Sequence, residues 1–454
     1  MEGFLKPRSV AVVGASADPR KGGHALVANL VDLLQGKVYP VNPRYEEVCG
    51  LRCYPSVENL PEVVDLVILF VPAPDVPSIL EACGRKGVRR VMIQSAGFAE
   101  TGELGRRLQD RCLQIARTRG MRLWGPNCMG LVNGQTRMVA SFMRPQVWKD
   151  ILRPGGVSLI VQSGMLSAGF LMQVMSEGYF GLSVACSIGN RCDVNECDLL
   201  EYFATDPATE VVALYLESIA DVERFRRAVS HLNRPVILLK GGTSPEGAMA
   251  ARSHTASLAG DAHLAEGLFR QLGIQQTYDF IEMMDLTKAL AVWRGRTYGD
   301  RLAIVSFSGA AGIVSADHMA REGLRLSPLS EATLLRLKEI FPPWMEPTNP
   351  VDIWPAIERS GRRRAYQAAV EALVEDPTVD AIHLHLFVES TLLQGDLSFL
   401  NALARSSKPS ALWLIGDTRC FRPFRERVEA MGIPAYNEIA RGVRALSMMK
   451  GQSG

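Results

Sequence analysis

This sequence lacks an excess of either charge. Lys+Arg 50 stand against Asp+Glu 48, a formal net charge of +2, so no broad basic field exists to hold nucleic acid or an anionic lipid surface. A long unbroken apolar run is missing too. The longest uncharged stretch, Val157 to Ser176, is interrupted by Gln162, Ser163, Gly164, Ser167, Gly169 and Gln173. That composition fits a strand, a tight turn and a buried helix better than a membrane span. The opening Met1-Glu-Gly-Phe-Leu-Lys-Pro-Arg8 has no apolar core of a secretory leader, and the nine cysteines are odd in number. Both predict a reducing, cytoplasmic setting rather than a disulfide framework. With 47% hydrophobic and 22% charged residues, a mainly disordered, collagenous or coiled-coil chain is excluded.

What the sequence has is one opening used three times. Ser9-Val-Ala-Val-Val-Gly-Ala-Ser16, Gly156-Val-Ser-Leu-Ile-Val-Gln-Ser-Gly164 and Arg301-Leu-Ala-Ile-Val-Ser-Phe-Ser-Gly309 each run from β-branched apolar residues through a small-residue turn into a helical pattern. Continuous apolar runs suit parallel strands covered on both faces. Their spacing of roughly 145 residues agrees with about three domains in a chain of 454. Further strand candidates follow at 38–42, 63–71, 88–94 and 121–124, at 184–188, 211–216 and 235–240, and at 381–387 and 410–415. The fold class predicted is α/β, three doubly wound parallel sheets over residues 1–145, 146–298 and 299–454. Polar or Pro-rich stretches near 141–155 and 294–300 read as linkers.

Ligands of such sheets sit beyond the carboxyl ends of strands. Here the first turn is Gly14-Ala15-Ser16-Ala17-Asp18-Pro19, whose small residues let backbone amides approach a phosphate. The dinucleotide fingerprint G-x-G-x-x-G is absent. The second strand ends in Val41-Asn42-Pro43-Arg44, where an NAD site would place an acid. Arg44 suits a phosphorylated ribose, which leaves NADP or coenzyme A. Val71-Pro72-Ala73-Pro74 and Gly125-Pro126-Asn127-Cys128 follow two further strands, and rigid loops of this kind can sandwich an extended ligand.

Ten segments in order now carry a resemblance: Val10-Ala-Val-Val-Gly-Ala-Ser16, Lys37-Val-Tyr-Pro-Val-Asn-Pro43, Val71-Pro-Ala73, Ser95-Ala-Gly-Phe98, Gly125-Pro-Asn-Cys128, Gln162-Ser-Gly164, Glu217-Ser-Ile219, Ser253-His-Thr255, Leu258-Ala-Gly260 and Asn349-Pro-Val-Asp352. Over nearly its whole length the chain resembles the α-type part of NDP-forming acyl-CoA synthetases, the ADP-forming acetyl-CoA synthetases and relatives. More distantly it resembles the α subunit of succinyl-CoA synthetase. The resemblance implies a Rossmann-like CoA-binding domain followed by two flavodoxin-like ligase domains. It implies coenzyme A held around Gly14, Ala15 and Ser16, with Asn42 and Arg44 near its phosphates, and Val71, Pro72, Ala73, Ala96, Gly97 and Asn127 along the pantetheine path.

Read alone, His254 is an ordinary histidine in a loop of small residues from Gly241 to Gly260. The resemblance makes it the histidine that becomes phosphorylated, with Glu217 orienting its ring and Ser163, Gly164 and Met165 cradling the phosphoryl group at a helix start. The implied enzyme is an acid–thiol ligase. Phosphate attacks the acyl-CoA thioester, the acyl phosphate gives its phosphoryl to His254, and His254 delivers it to ADP or GDP, reversibly. The nucleotide and Mg²⁺ are expected on a separate ATP-grasp β-type partner, because no fourth domain is recognisable; the result would be a hetero-oligomer. The alternative is a silent CoA or acyl-CoA sensor of the same fold. An NADP oxidoreductase is disfavoured by the missing fingerprint.

Three positions depart from the family pattern. Arg44 stands for a usual Lys, Ala256 for a Gly after His-Thr, and Gly309-Ala310-Ala311-Gly312 for a Gly-Gly-Pro-Gly turn. Cys128 reads as a small packed residue, not a nucleophile. Cys186, Cys192 and Cys197 with Asp193 and Glu196 fit no common zinc spacing, so no metal is expected on this chain. His383 and His385 share a strand face and read as packing or surface residues, and Arg362-Arg363-Arg364 as a solvated face.

Overall fold

The computed structural model describes residues 1–144, 148, 150–255, 262–293 and 298–450, with the backbone alone at 165–168, 251–255, 262–264 and 393. The chain divides into two compact units, Met1–Thr287 and Lys288–Gly454.

The first unit holds two sheets. The five parallel strands of the first run in the order Lys37–Val41, Ser9–Val13, Leu66–Leu69, Arg90–Ile93 and Arg122–Trp124. Alternation explains the apolar runs. Val10, Val12, Leu66 and Ile68 enter one core, while Ala11, Val13, Val67 and Leu69 enter the core on the opposite face, so each of these positions must be apolar. Two covering helices stop where the sequence changes chemistry. Val76–Lys86 and Glu103–Arg119 carry basic residues in the last turn and end on Gly87 at φ +92° and Gly120 at φ +66°, a left-handed cap that favours glycine.

The second sheet has seven strands. Gln275–Thr277, Val236–Lys240, Val211–Leu216, Pro154–Val161 and Leu182–Ser187 are mutually parallel neighbours in that order. Leu131–Asn133 then pairs antiparallel with Leu182–Ser187, and Val139–Ala140 with Leu131–Asn133. This short hairpin joins the sheets into one core. Trp124, Leu131, Met138 and Ala140 are buried together with Ile160, Val184 and Cys186. The strand Pro154–Val161 begins inside the stretch expected as a linker, while 145–147 and 149, like 294–297 of the second expected linker, lie outside the described residues. The uncharged stretch from Val157 is indeed a strand, a turn and the helix Gly164–Glu177. Among the described residues no helix is long and apolar enough to cross a membrane.

In the second unit the strands Arg325–Leu326, Arg301–Ser306, Ala381–Val388, Ser410–Gly416 and Ala435–Tyr436 lie side by side in parallel, and Val351–Asp352 pairs with the end of Arg301–Ser306. His383 and His385 are both 0% exposed, which makes packing their role. His385 Nε2 lies 3.0 Å from Ser315 Oγ and 3.3 Å from His383 Nδ1. Arg362–Arg364 opens the helix Arg362–Glu375, with Arg362 and Arg363 paired to Glu389 and Asp396. Gly309–Gly312 forms the start of the helix Gly309–Arg321.

Candidate functional site

Strand order reverses in the first sheet between Ser9–Val13 and Leu66–Leu69, so their carboxyl ends open a crevice. Gly14 sits there at φ +94°, and a Cβ on it would fall 2.1 Å from the Phe70 carbonyl oxygen. A Cβ on Gly23 would fall 2.1 Å from the Gly14 oxygen. Backbone packs on backbone here, which only glycine allows. Asn42 brackets the turn, donating Nδ2–H to the Ala15 oxygen at 2.7 Å and accepting the Arg44 N–H on Oδ1 at 2.9 Å. Ala15 and Ser16 are buried. Arg44 is exposed, and among the described residues its guanidinium makes no ion pair.

Next to this turn lies a cleft of about 480 Å³, lined by Phe70, Val71, Pro72, Gln94, Ser95, Ala96, Asn127, Cys128, Met129, Phe142 and Gly164. Ser95 knits its rim. Its Oγ accepts the Val71 N–H at 3.1 Å and its carbonyl accepts the Asn127 N–H at 2.9 Å. Of the residues predicted to bind CoA, the cleft gathers Val71, Pro72, Ala96 and Asn127, and adds Gly164 from the predicted phosphate set. Ala73 and Gly97 stand outside its lining. A Cβ on Gly97 would lie 3.0 Å from that of Ala73, and the Gly97 amide is committed to Glu100 Oε1 at 2.6 Å. Phe70 and Phe142, with ring centroids 5.1 Å apart, and Met129 were not anticipated. Cys128 is fully buried, with Sγ 3.5 Å from the Ile93 oxygen, and burial pushes its thiol up to about 12. Such a thiol packs and does not attack.

The second sheet reverses order between Pro154–Val161 and Val211–Leu216. At these carboxyl ends stand Gln162-Ser163-Gly164 and Glu217. Ser163 is the extended residue before the helix Gly164–Glu177. A Cβ on Gly164 would lie 3.7 Å from the Asn127 oxygen, so the positive helix end borders the cleft. Met165 lies in its first turn, with its side chain outside the description. Glu217 is 6% exposed. Its N–H and that of Ser218 donate to Gln162 Oε1 at 2.8 and 3.3 Å. Lys240 Nζ donates to the Glu217 main-chain carbonyl oxygen at 2.6 Å. Arg191, mostly buried and paired with Glu196 at 2.9 Å, donates to the Ser218 carbonyl oxygen and hydroxyl. The whole turn is clamped, yet Glu217 Oε2 is buried without a hydrogen-bond partner among the described residues. Burial first, and the Glu217 charge second, push Tyr215 up to about 12, while burial lowers Lys240.

The segment after Lys240 differs from the expected loop: Pro245–Thr255 is a helix. Pro245 suits a first helical position, and Ala248, Ala250 and Ala251 are strong helix formers. This helix lies against the turn Ala99–Thr101 beside the cleft. His254 falls in its last turn, with its side chain, like Ala256, outside the described residues. Gln162, Lys240 and Arg191 were given no role in the sequence reading, because their contacts span 55, 23 and 27 positions. Among the described residues no group of three His, Cys, Asp or Glu side chains is placed to hold a metal.

Residues 8–134 match the family described as a CoA binding domain, and residues 154–290 match that described as a succinyl-CoA ligase like flavodoxin domain. Acetate–CoA ligase [ADP-forming] II subunit alpha of Pyrococcus furiosus is 39% identical over 455 residues, covering 98% of this chain and 96% of that protein. The chain belongs to the NDP-forming acyl-CoA synthetases, as an α-type chain. Another member, acetate–CoA ligase [ADP-forming] II of Archaeoglobus fulgidus, is 33% identical over 97% of this chain, which spans only 65% of that protein's length. The solved dinucleotide forming acetyl-coenzyme A synthetase 1 of Ca. Korarchaeum cryptofilum, in complex with phosphate and ADP, shares the fold at TM-score 0.89 and 32% identity, covering 99% of this chain and 96% of that one.

Proposed function

We propose that this chain is the α-type subunit of an NDP-forming acyl-CoA synthetase, converting acyl-CoA, phosphate and NDP reversibly to a carboxylic acid, CoA and NTP. One observation carries the reading. The buried Glu217 carboxylate, with an oxygen unpaired among the described residues, shares a switch point with the helix start at Gly164, which borders the cleft of the CoA-binding domain.

CoA is a substrate here, and the residues fit it. The Gly14 turn admits only backbone, exposed Arg44 suits the ribose phosphate, and Val71, Pro72, Ala96 and Asn127 line a path for the pantetheine arm; Ala73 and Gly97 support that wall. A phosphate oxygen attacks the thioester carbonyl and the thiolate leaves. One nitrogen of His254 then attacks phosphorus and the carboxylate leaves. Glu217 holds the proton on the other ring nitrogen, which keeps the attacking nitrogen basic. Amides at Ser163, Gly164 and Met165 stabilise the phosphoryl charge. A segment hinged at Gly241-Gly242, with Gly242 at φ +71°, carries His254 to the nucleotide.

The relatives named as alpha subunits support a partner chain. We assign to it the ATP-grasp fold, Mg²⁺ and ADP, the last because the relatives are named ADP-forming. All nine cysteines are free thiols, which suits a cytoplasmic setting. The test is turnover by the complex purified through this chain, given acyl-CoAs of a panel of acids, phosphate, Mg²⁺ and ADP or GDP. ATP or GTP released in step with free CoA supports the proposal. CoA binding without nucleotide formation from any acyl-CoA would leave a sensor instead.

A further inference from the structure

We propose that Gln162 is a positioning residue for phosphoryl transfer, its carboxamide oxygen fixing the turn that aims the Glu217 carboxylate. The inference rests on the roles proposed above for Glu217 and His254. Gln162 is 5% exposed and lies at the end of the strand Pro154–Val161, immediately before Ser163 and Gly164. Its own N–H bonds the Tyr215 oxygen at 3.0 Å, and its Oε1 takes the amide hydrogens of both Glu217 and Ser218. One side chain therefore ties the helix start offered to the phosphoryl group to the turn bearing the carboxylate. The other main-chain groups of that turn are held by cations, Lys240 on the Glu217 oxygen and Arg191 on the Ser218 oxygen. Among the described residues Gln162 is the acceptor of the buried Glu217 amide hydrogen, and a turn that lost it would rotate to find another.

Among the described residues, the charged and titratable groups around Glu217 are Tyr215 on the strand before it, Lys240 on the next, Arg191 from the loop after Leu182–Ser187, and Glu196 at the start of the following helix. Two variants of Gln162 separate positioning from bulk. Gln162→Leu keeps the size and loses the acceptor. Gln162→Glu keeps an acceptor oxygen and adds a charge beside Glu217.

The experiment measures the rate of phosphoryl labelling of this chain in its native complex from Mg²⁺ and γ-labelled ATP across pH, with CoA affinity and thermal midpoint as checks on folding. Gln162→Leu is expected to label about 10–100-fold more slowly while binding CoA like wild type. Gln162→Glu is expected to label within about fivefold of wild type, with the acid limb of the profile at higher pH, because an added negative charge at the site favours the protonated forms of groups around it. A folded, CoA-binding Gln162→Leu that labels at the wild-type rate overturns the inference. So does a Gln162→Glu profile superimposable on wild type, a readout that survives if the leucine variant fails to fold. A wild type that takes no label brings down the proposed function and this inference together, whereas a labelled wild type with unaffected variants sinks the inference alone.

Discussion

Gln162 Oε1 and the Glu217 amide, 2.8 Å apart, join the carboxyl ends of two adjacent parallel strands across 55 positions of sequence. Glu217→Gln, isosteric and uncharged, is expected to slow phosphorylation of this chain by about 10–100-fold and to leave CoA affinity within about twofold. Rapid-quench labelling and calorimetry on the same preparation check it. Equal losses in both would mean that Glu217 supports the fold and not the transfer.

Arg44 is exposed beside Asn42, whose side chain brackets the Gly14 turn. A guanidinium on the ribose phosphate contributes a charge-assisted bond of about 1.5–3 kcal/mol. Arg44→Ala should therefore weaken CoA by about tenfold or more and leave dephospho-CoA nearly unchanged. Titration calorimetry with both ligands decides, and parallel losses would place the phosphate elsewhere.

Cys128 packs into the wall of the cleft with its thiol pushed up to about 12 by burial. Cys128→Ala is expected to keep turnover within about threefold and to lower stability by roughly 1 kcal/mol through the small cavity left. Loss of turnover in a variant with a wild-type melting curve would restore a chemical role to the thiol.

The buried pair His383 and His385 makes the second unit sensitive to acid. Burial above all depresses both, His383 from 6.5 to about 3. Both rings are neutral in the folded unit, so below pH 6.5 the unfolded chain binds more protons. Stability is full above that pH and falls as the pH drops below it, by up to about 1.4 kcal/mol per pH unit for each histidine. Thermal midpoints at pH 7.5, 6 and 5 should drop for wild type and drop less for His383→Gln. Identical pH dependence in both would contradict the assignment.

Much of this fold is legible because its strands are covered on both faces. Val10–Val13 must be apolar throughout, and Val211–Leu216 appears in sequence with the bounds it has in the structure. Leu131–Asn133, Val139–Ala140 and Gln275–Thr277 are not legible. Each has two or three residues, and pairing with a neighbour, rather than local pattern, makes it a strand. The site divides in the same way. Pro72, Ala96 and Asn127 lie in short motifs, whereas Phe142 enters the cleft from a stretch that reads as a linker. Gln162 sits inside a motif, but its partner can be found only once two strands lie side by side. The helix Pro245–Thr255 was obscured by the glycines and serines around it, although its alanines favour helix.

In the proposed mechanism His254 carries the phosphoryl group. The native complex, captured through this chain and incubated with Mg²⁺ and γ-labelled ATP or GTP, should place acid-labile, base-stable label on this chain, discharged by CoA together with one acid from a panel. His254→Ala should take none. Label that persists in His254→Ala, or its absence from wild type in a complex that binds CoA and contains an ATP-grasp partner, would contradict the account.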